Sequence, residues 1–324
     1  MDNHNATLRV GRNALGIEAR ALQAMADGLD DAFVEVVNAV FTGGGRLVVT
    51  GIGKTAIVAQ KIVATLNSTG TPALFLHAAD AIHGDLGMIQ PADHVLLISK
   101  SGETAEIKVL ALLARQLGSQ LIAMVGREGS SLAELADYVL LTLVPREADP
   151  NDLAPTTSTT LQMAMGDALA TALLARRGFT PEDFGRLHPG GSLGKQLYLT
   201  VGDLYPRNQR PVVYPTTPLH ATVLEMTAKC LGATAVLDPG TDRLLGIITD
   251  GDLRRTLSET ERLEGLSAAD LMTRRPKTVT GETLAVRALE TLRRYSITQL
   301  PVVDAAGGYL GFVHLHDLVR EGLV

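Results

Sequence analysis

Near residue 50 the sequence reads Leu47-Val-Val-Thr-Gly51-Ile-Gly-Lys54-Thr55, which is a short apolar run, a turn with two glycines and the start of a helix-like stretch over residues 55–68. The same order returns where the apolar run at 95–99 leads into Ser99-Lys-Ser101-Gly102-Glu103-Thr104 and a helix-like stretch over 104–117. Apolar residues fill these runs without alternation, as in parallel strands covered on both faces. The two strand–turn–helix units therefore predict an α/β fold.

The rest of the N-terminal part continues this alternation of strands and helices. Further strand-like runs lie at 73–76, 121–125 and 139–144, and further helix-like stretches at 14–41, 130–136 and 159–177. Thr159 and Gln162 match a capping box at the start of the last stretch. We predict a three-layer, flavodoxin-like α/β domain over residues 1–200, which binds its ligand at the carboxyl ends of its parallel strands.

The C-terminal part contains an imperfect internal repeat. Leu245-Gly-Ile-Ile-Thr249-Asp250-Gly-Asp252-Leu returns as Leu310-Gly-Phe-Val-His314-Leu-His-Asp317-Leu. Each copy is expected to be a helix–strand–strand–helix module that buries little apolar surface alone, so the two copies should pack together. We predict a second domain over 205–324, with repeat 1 at about 205–262 and repeat 2 at about 270–324.

Charge and composition exclude several classes of protein. The formal net charge is −6 and no basic block is present, which gives no electrostatic reason to bind nucleic acid or an anionic membrane. The single cysteine, Cys230, rules out an intramolecular disulfide framework and is expected to act as a small hydrophobe. The polar N-terminus lacks the apolar region of a signal peptide, and no run of 18 apolar residues predicts a membrane span. We therefore expect a cytoplasmic protein.

The hydroxyl side chains of the two Gly-containing turns predict a phosphate site. They are those of Thr55, Ser99, Ser101 and Thr104. Hydroxyl groups and backbone amides at a helix N-terminus bind a phosphate dianion, although the same residues also serve as ordinary helix caps. Without a Gly-x-x-x-x-Gly-Lys-Ser pattern, a sugar phosphate is favoured over a nucleoside triphosphate.

Four residues form a candidate acid–base set. Lys54 and Glu106 lie beside the two turns, Glu147 follows the run at 139–144, and His188 precedes Pro-Gly-Gly. Each could be an ordinary surface charge by itself, but together they could move a proton and stabilise an enediolate. The acidic loop at 147–152 predicts a raised pKa for Glu147 through repulsion between like charges.

Two histidines in the same region suggest a metal, but their spacing argues against one. His77, His83 and Asp85 do not form a zinc signature. We assign no metal ligand and expect His83 to face the substrate. Inhibition by a divalent metal such as zinc through His77 or His83 stays open.

The chain resembles, over nearly its whole length, the sugar isomerase (SIS) domain fused to a pair of cystathionine β-synthase (CBS) domains, and within that group the arabinose 5-phosphate isomerase family. Seven segments carry the resemblance: Gly51-Ile-Gly-Lys54, Ser68-Thr-Gly-Thr-Pro72, His83-Gly-Asp-Leu-Gly-Met88, Ser99-Lys-Ser-Gly-Glu-Thr, Leu153-Ala-Pro-Thr-Thr-Ser-Thr-Thr160, Gly166-Asp-Ala-Leu-Ala170 and Leu187-His-Pro-Gly-Gly191. The resemblance implies interconversion of D-ribulose 5-phosphate and D-arabinose 5-phosphate through a cis-enediol, without a cofactor. The product would supply synthesis of 3-deoxy-D-manno-octulosonate for lipopolysaccharide or capsule.

The resemblance also implies roles for residues and a tetrameric assembly. Glu147 or Glu106 would shuttle the proton between C1 and C2, Lys54 would neutralise negative charge, and His188 would open the sugar ring or move a hydroxyl proton. His188 could serve the site of a neighbouring subunit, because members of the family are homotetramers that share residues across subunits.

The CBS pair matches the ligand-binding pattern of its family in one copy. Thr249 and Asp252 stand where relatives place phosphate and ribose, whereas His314 replaces the usual hydroxyl in the second copy. A nucleotide or nucleotide sugar would bind there, unless the pair only supports the fold or the assembly.

Two other functions remain open at this stage. A non-catalytic sugar-phosphate regulator would use the same phosphate site, although such regulators usually carry a helix-turn-helix domain and none is apparent here. An isomerase of another ketose phosphate would also use it, because a phosphate site does not encode the stereochemistry at C2.

Overall fold

The computed structural model describes residues 2–260 and 262–324 and divides the chain into two compact units, one up to Phe184 and the other from Gly185 onward. The strands of the first unit are β1 (Leu47–Gly51), β2 (Ala73–His77), β3 (His94–Ser99), β4 (Gln120–Val125) and β5 (Tyr138–Leu141). They form one parallel sheet in the order β2-β1-β3-β4-β5. This is the flavodoxin-like strand order, so the predicted fold class is confirmed.

Helices cover both faces of the sheet. The helices up to residue 187 are α1 (Asp2–Asp27), α2 (Asp31–Thr42), α3 (Lys54–Ser68), α4 (Ala78–Ala81), α5 (Ala105–Gln116), α6 (Ser131–Leu135), α7 (Thr157–Arg176) and α8 (Pro181–Leu187). Val49 packs with α2, α3 and α7 on one face, whereas the next residue towards the N-terminus, Val48, packs with α4, α5 and α6 on the other. Strands buried on both faces explain why the apolar runs are continuous.

The helix boundaries correct two details of the sequence prediction. The apolar spacing over 14–41 belongs to two helices, because the chain turns between Asp27 and Asp31 and the Asp30 carboxylate accepts the amide of Ala32. The capping box at Thr159 is wrong: α7 already begins at Thr157, and the Thr159 hydroxyl donates to the carbonyl of Thr156.

The second unit contains the predicted repeat. Its elements are α9 (Ser192–Tyr198), β6 (Val212–Val213), α10 (Leu219–Lys229), β7 (Ala233–Leu237), β8 (Leu244–Thr249), α11 (Asp250–Glu259), α12 (Ala268–Leu271), β9 (Thr273–Arg274), β10 (Val279–Thr280), α13 (Ala285–Tyr295), β11 (Gln299–Val303), β12 (Tyr309–His314) and α14 (Leu315–Arg320). The modules α10-β7-β8-α11 and α13-β11-β12-α14 confirm the helix–strand–strand–helix prediction. Their central strand pairs are both antiparallel.

The two repeats exchange the segments that precede them. Val201 and Leu204, which precede the first repeat, pack into the apolar core of the second. Ala268 and Leu271, which precede the second repeat, pack into the core of the first. The apolar core of each module therefore includes residues from the segment that precedes the other module. This explains why the repeats occur as a pair.

No helix in the described part of the chain is long and apolar enough to cross a membrane.

Candidate functional site

The candidate site lies at the carboxyl edge of the first sheet, where β1 and β3 are neighbours. From β1 the chain crosses to β2 on one side, and from β3 it crosses to β4 on the other side. Connections that leave in opposite directions open a crevice at the strand ends, which is where doubly wound sheets bind ligands. The two turns singled out in the sequence follow these two strands.

The turn after β1 places Lys54 at the first position of α3. Gly53 makes the turn possible, because its φ of 57° lies in the left-handed region. The Thr55 hydroxyl donates to the Ile52 carbonyl at 2.8 Å and accepts the Ile52 amide at 3.0 Å, so it closes the turn. Lys54 is exposed, and no acidic side chain in the described residues pairs with its ammonium group.

The turn after β3 is built from its own hydroxyl groups. Ser99 accepts the amide of Gly102 at 3.1 Å and lies 3.0 Å from the hydroxyl of Thr104, while Ser101 accepts the amide of Glu103 at 3.2 Å. Gly102 is required here, because its φ is 68° and a Cβ atom would collide with the Ser130 side chain. The observed hydrogen bonds of these hydroxyl groups therefore lie within the turns and stabilise them.

The helices that follow the two turns begin without a cap. Among the described residues, no side chain accepts a hydrogen bond from the first turn of α3 or α5 as a cap. Elsewhere in this unit α2 and α6 do have such caps, from Asp30 and Ser130. Uncapped amides and the positive end of the helix dipole make both helix starts suitable for an anion.

Glu103 in the turn after β3 and Glu106 in the first turn of α5 have different surroundings. The carboxylate of Glu103 accepts the amide and the hydroxyl of Ser131, each at 2.8 Å, and pairs with Lys108 at 3.1 Å. These bonds, the Ser131 amide first, lower the pKa of Glu103 to about 2. Glu106 is half-buried in the first turn of α5, and nothing in the described residues hydrogen-bonds to its carboxylate. Glu103 thus fixes the start of α6, whereas Glu106 is available for proton transfer.

Glu147 is fully buried and is held by four hydrogen bonds. Its Oε1 accepts from the Lys100 ammonium at 2.6 Å. Its Oε2 accepts the amides of Thr156 and Ser158 at 2.8 and 3.1 Å and the Thr156 hydroxyl at 3.2 Å. The carboxylate therefore occupies the N-terminus of α7, which explains why that helix starts before the predicted capping box.

The pKa of Glu147 is lowered, and the predicted rise is wrong. Burial alone would raise the pKa, but Lys100 and the donors at the start of α7 outweigh it and bring it to about 2. The neighbouring carboxylates accept backbone amides: Asp149 accepts those of Asn151 and Leu153, and Asp152 accepts that of Glu147 itself.

The predicted histidines lie in different surroundings. His83 is exposed in the turn after α4, and His77 is half-buried with its Nδ1 3.8 Å from Asp80 Oδ2. Among residues 2–260 and 262–324, no group of three or more His, Cys, Asp or Glu side chains is arranged to hold a metal ion. His188 belongs to the second unit, where its carbonyl accepts the amide of Gly191 at 3.0 Å.

A second candidate site is a cleft of about 810 Å³ between the two repeats. Asp252 lines it, but both of its oxygens are engaged: Oδ2 accepts the amide and hydroxyl of Thr249, and Oδ1 accepts from Arg255 and Thr273. In the second repeat His314 takes the place of Thr249, and its Nδ1 accepts the amide of His316 at 3.1 Å. The main role of Thr249 and Asp252 in the structure is therefore to cap the N-terminus of α11.

The cleft also contains basic residues that sequence reasoning missed. Arg254, Arg275 and Lys277 line it together with Arg255, and Tyr295 adds an aromatic ring. The run Arg274-Arg-Pro-Lys277 between the repeats was the available signal. The excess of positive charge suits an anionic ligand.

Comparison with known proteins agrees with this architecture. The SIS domain matches residues 41–172, and the CBS domain matches 201–259 and 268–323. A relative from Pseudomonas aeruginosa, arabinose 5-phosphate isomerase KdsD, is 45% identical over 97% of this chain and 96% of its own length. Arabinose 5-phosphate isomerase KpsF from Escherichia coli is 41% identical over 94% of this chain and 93% of its own.

A solved structure resembles more than half of the chain. The E. coli CFT073 protein c3406, in complex with arabinose 5-phosphate, has a TM-score of 0.56 and 38% sequence identity, and the match covers 57% of this chain and 98% of that one. Because the curated relatives align along almost the entire chain, this protein belongs to the arabinose 5-phosphate isomerase family.

Proposed function

We propose that this protein is an aldose–ketose isomerase that interconverts D-ribulose 5-phosphate and D-arabinose 5-phosphate. The observation that carries the proposal is the crevice between β1 and β3. Two uncapped helices start there, and Lys54 and Glu106 lie at the same edge of the sheet without a partner in the described residues. Relatives named arabinose 5-phosphate isomerase match almost the whole length of the chain.

The phosphate group of the substrate is assigned to the starts of α3 and α5. Their free amides and the hydroxyl of Ser101 are suitable donors, and the helix dipoles favour a dianion. Thr55, Ser99 and Thr104 support this binding mainly by holding the turns in shape. His83, which is exposed after α4, is assigned to the sugar side of the crevice.

Glu106 is assigned as the base that moves the proton between C1 and C2. It removes a proton from C1 of the ketose, and the C2 carbonyl oxygen becomes the enediolate oxygen. The hydroxyl proton of O1 then moves to O2, the base returns its proton at C2, and C1 becomes the aldehyde carbonyl. Lys54 stabilises the negative charge of the enediolate. This isomerisation requires neither a redox step nor a cofactor.

Glu147 is the less suitable base. A carboxylate with four hydrogen bonds and a pKa of about 2 accepts a proton from carbon with difficulty, since efficient bases have a pKa near the working pH. Its assigned role is to hold neighbouring groups in place.

The remaining assignments rest mainly on the resemblance to the arabinose 5-phosphate isomerase family. His188 is assigned to ring opening or to transfer of a hydroxyl proton, in a homotetramer that shares residues between subunits. The product would feed synthesis of 3-deoxy-D-manno-octulosonate in the cytoplasm, for lipopolysaccharide or capsule. The basic cleft in the second unit is assigned to a nucleotide or nucleotide sugar, with Arg275 and Lys277 as the phosphate contacts and Thr249 and Asp252 as structural caps.

A substrate panel tests the reaction and its specificity. The purified protein is expected to convert D-ribulose 5-phosphate at a rate at least about 100 times that for D-xylulose 5-phosphate or D-fructose 6-phosphate, because stereochemistry and chain length must fit the crevice. Equal rates with another ketose phosphate would favour the alternative that the protein is an isomerase of that other substrate. Binding without turnover of any of them would favour a regulator.

A further inference from the structure

Lys100 is a charged residue in the turn after β3 to which the acid–base set gives no role. It lies between Ser99 and Ser101 at the carboxyl edge of the sheet. Its side chain is 46% exposed, and its Nζ lies 2.6 Å from Oε1 of the fully buried Glu147. An ammonium group has three donors. With one donor directed at Glu147, the other two remain for a group outside the protein.

Glu147 is a rigid anchor for this lysine. Its other oxygen is fixed by the amides of Thr156 and Ser158 at the start of α7, a helix of 20 residues. A lysine held by an immobile carboxylate has already lost much of its side-chain freedom before a ligand arrives. An ordered cation binds an anion more strongly than a mobile one, because less entropy is lost on binding.

The position of Lys100 selects the phosphate end of the substrate. Its neighbours in the turn are Ser101 and the uncapped start of α5, which are the proposed phosphate donors. The carboxylate of Glu147, 2.6 Å from the ammonium group, cancels part of its charge, but a phosphate dianion is more strongly charged and can use the remaining donors.

We propose that Lys100 contacts the 5-phosphate of the substrate through its ammonium group and that Glu147 is the positioning residue that holds Lys100 there. The proposal rests on the isomerase function and deepens it. It removes Glu147 from the proton shuttle and adds a charged phosphate contact to the hydroxyl groups and amides of the turn after β3.

Steady-state kinetics of Lys100 variants test the contact. Lys100→Met is expected to raise KM for D-ribulose 5-phosphate about 10- to 100-fold while kcat changes less than about fivefold, as for loss of a charged hydrogen bond made in ground and transition states alike. The inhibition constant of inorganic phosphate should rise by a similar factor. Lys100→Arg should recover most of both losses, and Lys108→Met, which removes a lysine of α5 that pairs with Glu103 in the turn before that helix, should leave KM unchanged.

The role of Glu147 has its own measurement. Glu147→Gln should also raise KM with a smaller effect on kcat, because Lys100 loses its anchor. The double variant Lys100→Met/Glu147→Gln should resemble Lys100→Met. It lacks the unpaired buried carboxylate that Lys100→Met alone leaves, so it serves as the test if Lys100→Met folds poorly. An unchanged KM in Lys100→Met, or a loss of kcat above about 1000-fold at constant KM in Glu147→Gln, would overturn the proposal.

Calorimetric titration with inorganic phosphate separates this proposal from the isomerase function. If the wild type binds phosphate but turns over no pentose phosphate, the function fails while the phosphate contact is still judged by the loss of binding in Lys100→Met. If the wild type turns over substrate and Lys100→Met binds phosphate as well as the wild type does, only the contact fails.

Discussion

Replacing Glu106 by glutamine is expected to lower kcat for D-ribulose 5-phosphate by about a thousandfold or more, with a much smaller change in KM. General base catalysis contributes about 10² to 10⁴ in rate, and the amide has no basic oxygen of comparable strength. The change keeps the shape of the side chain in the first turn of α5, where the described residues give the carboxylate no hydrogen bond to lose. The fold should therefore persist.

Glu103→Gln is the matched control for this variant. Glu103 lies three positions earlier, and its carboxylate holds Ser131 and Lys108. Its replacement should lower the melting temperature slightly and leave kcat within about threefold, since it is assigned no role in the reaction. A Glu106→Gln variant with wild-type kcat would remove Glu106 from the proton shuttle.

Replacing Glu147 by glutamine is expected to lower the free energy of unfolding of the first unit by about 3 kcal/mol at neutral pH. The carboxylate is buried and joins Lys100 to the start of α7, so a neutral amide loses the ion pair and directs its NH₂ group towards other donors. Urea unfolding followed by circular dichroism gives the difference between variant and wild type. A difference below about 0.5 kcal/mol would mean that the pair contributes little to stability.

The stabilisation by Glu147 should also depend on pH. Its pKa is about 2 in the folded protein and lies near 4.5 without these contacts. A group whose pKa is lowered by folding stabilises the fold above its unfolded pKa, and this contribution is lost as the pH falls through the folded pKa. The stability difference between wild type and Glu147→Gln should hence shrink between pH 4.5 and 2. Asp93 and Glu103 also have lowered pKa values, but both carboxylates remain in the variant and cancel in the comparison.

Local patterns in the sequence were sufficient for the fold and for the two turns. The apolar runs become the five strands of the parallel sheet, and the stretches 55–68 and 104–117 differ from α3 and α5 by one residue at most. Such features depend on neighbouring residues: burial of consecutive side chains, glycine at positive φ and helical spacing.

Features that depend on distant contacts could not be predicted. Lys100 and Glu147 are 47 positions apart, and only the folded chain brings the ammonium and the carboxylate together. That contact lowers the pKa of Glu147 together with the bonds from Thr156 and Ser158, and those two bonds stabilise the start of α7 ahead of the predicted capping box. The bonds of the Thr55 hydroxyl to the backbone of Ile52 are local, and ligand binding by Thr55 stays a prediction.

The most direct test of an enediol isomerase is proton NMR of the protein with D-ribulose 5-phosphate in D₂O. We expect signals of D-arabinose 5-phosphate to appear with deuterium at C2, because the proton removed from C1 exchanges with solvent on the base before it returns. Glu106→Gln should show neither product nor exchange on the same time scale. Unchanged D-ribulose 5-phosphate that keeps both C1 protons at high concentrations of the wild-type protein would contradict the isomerase function.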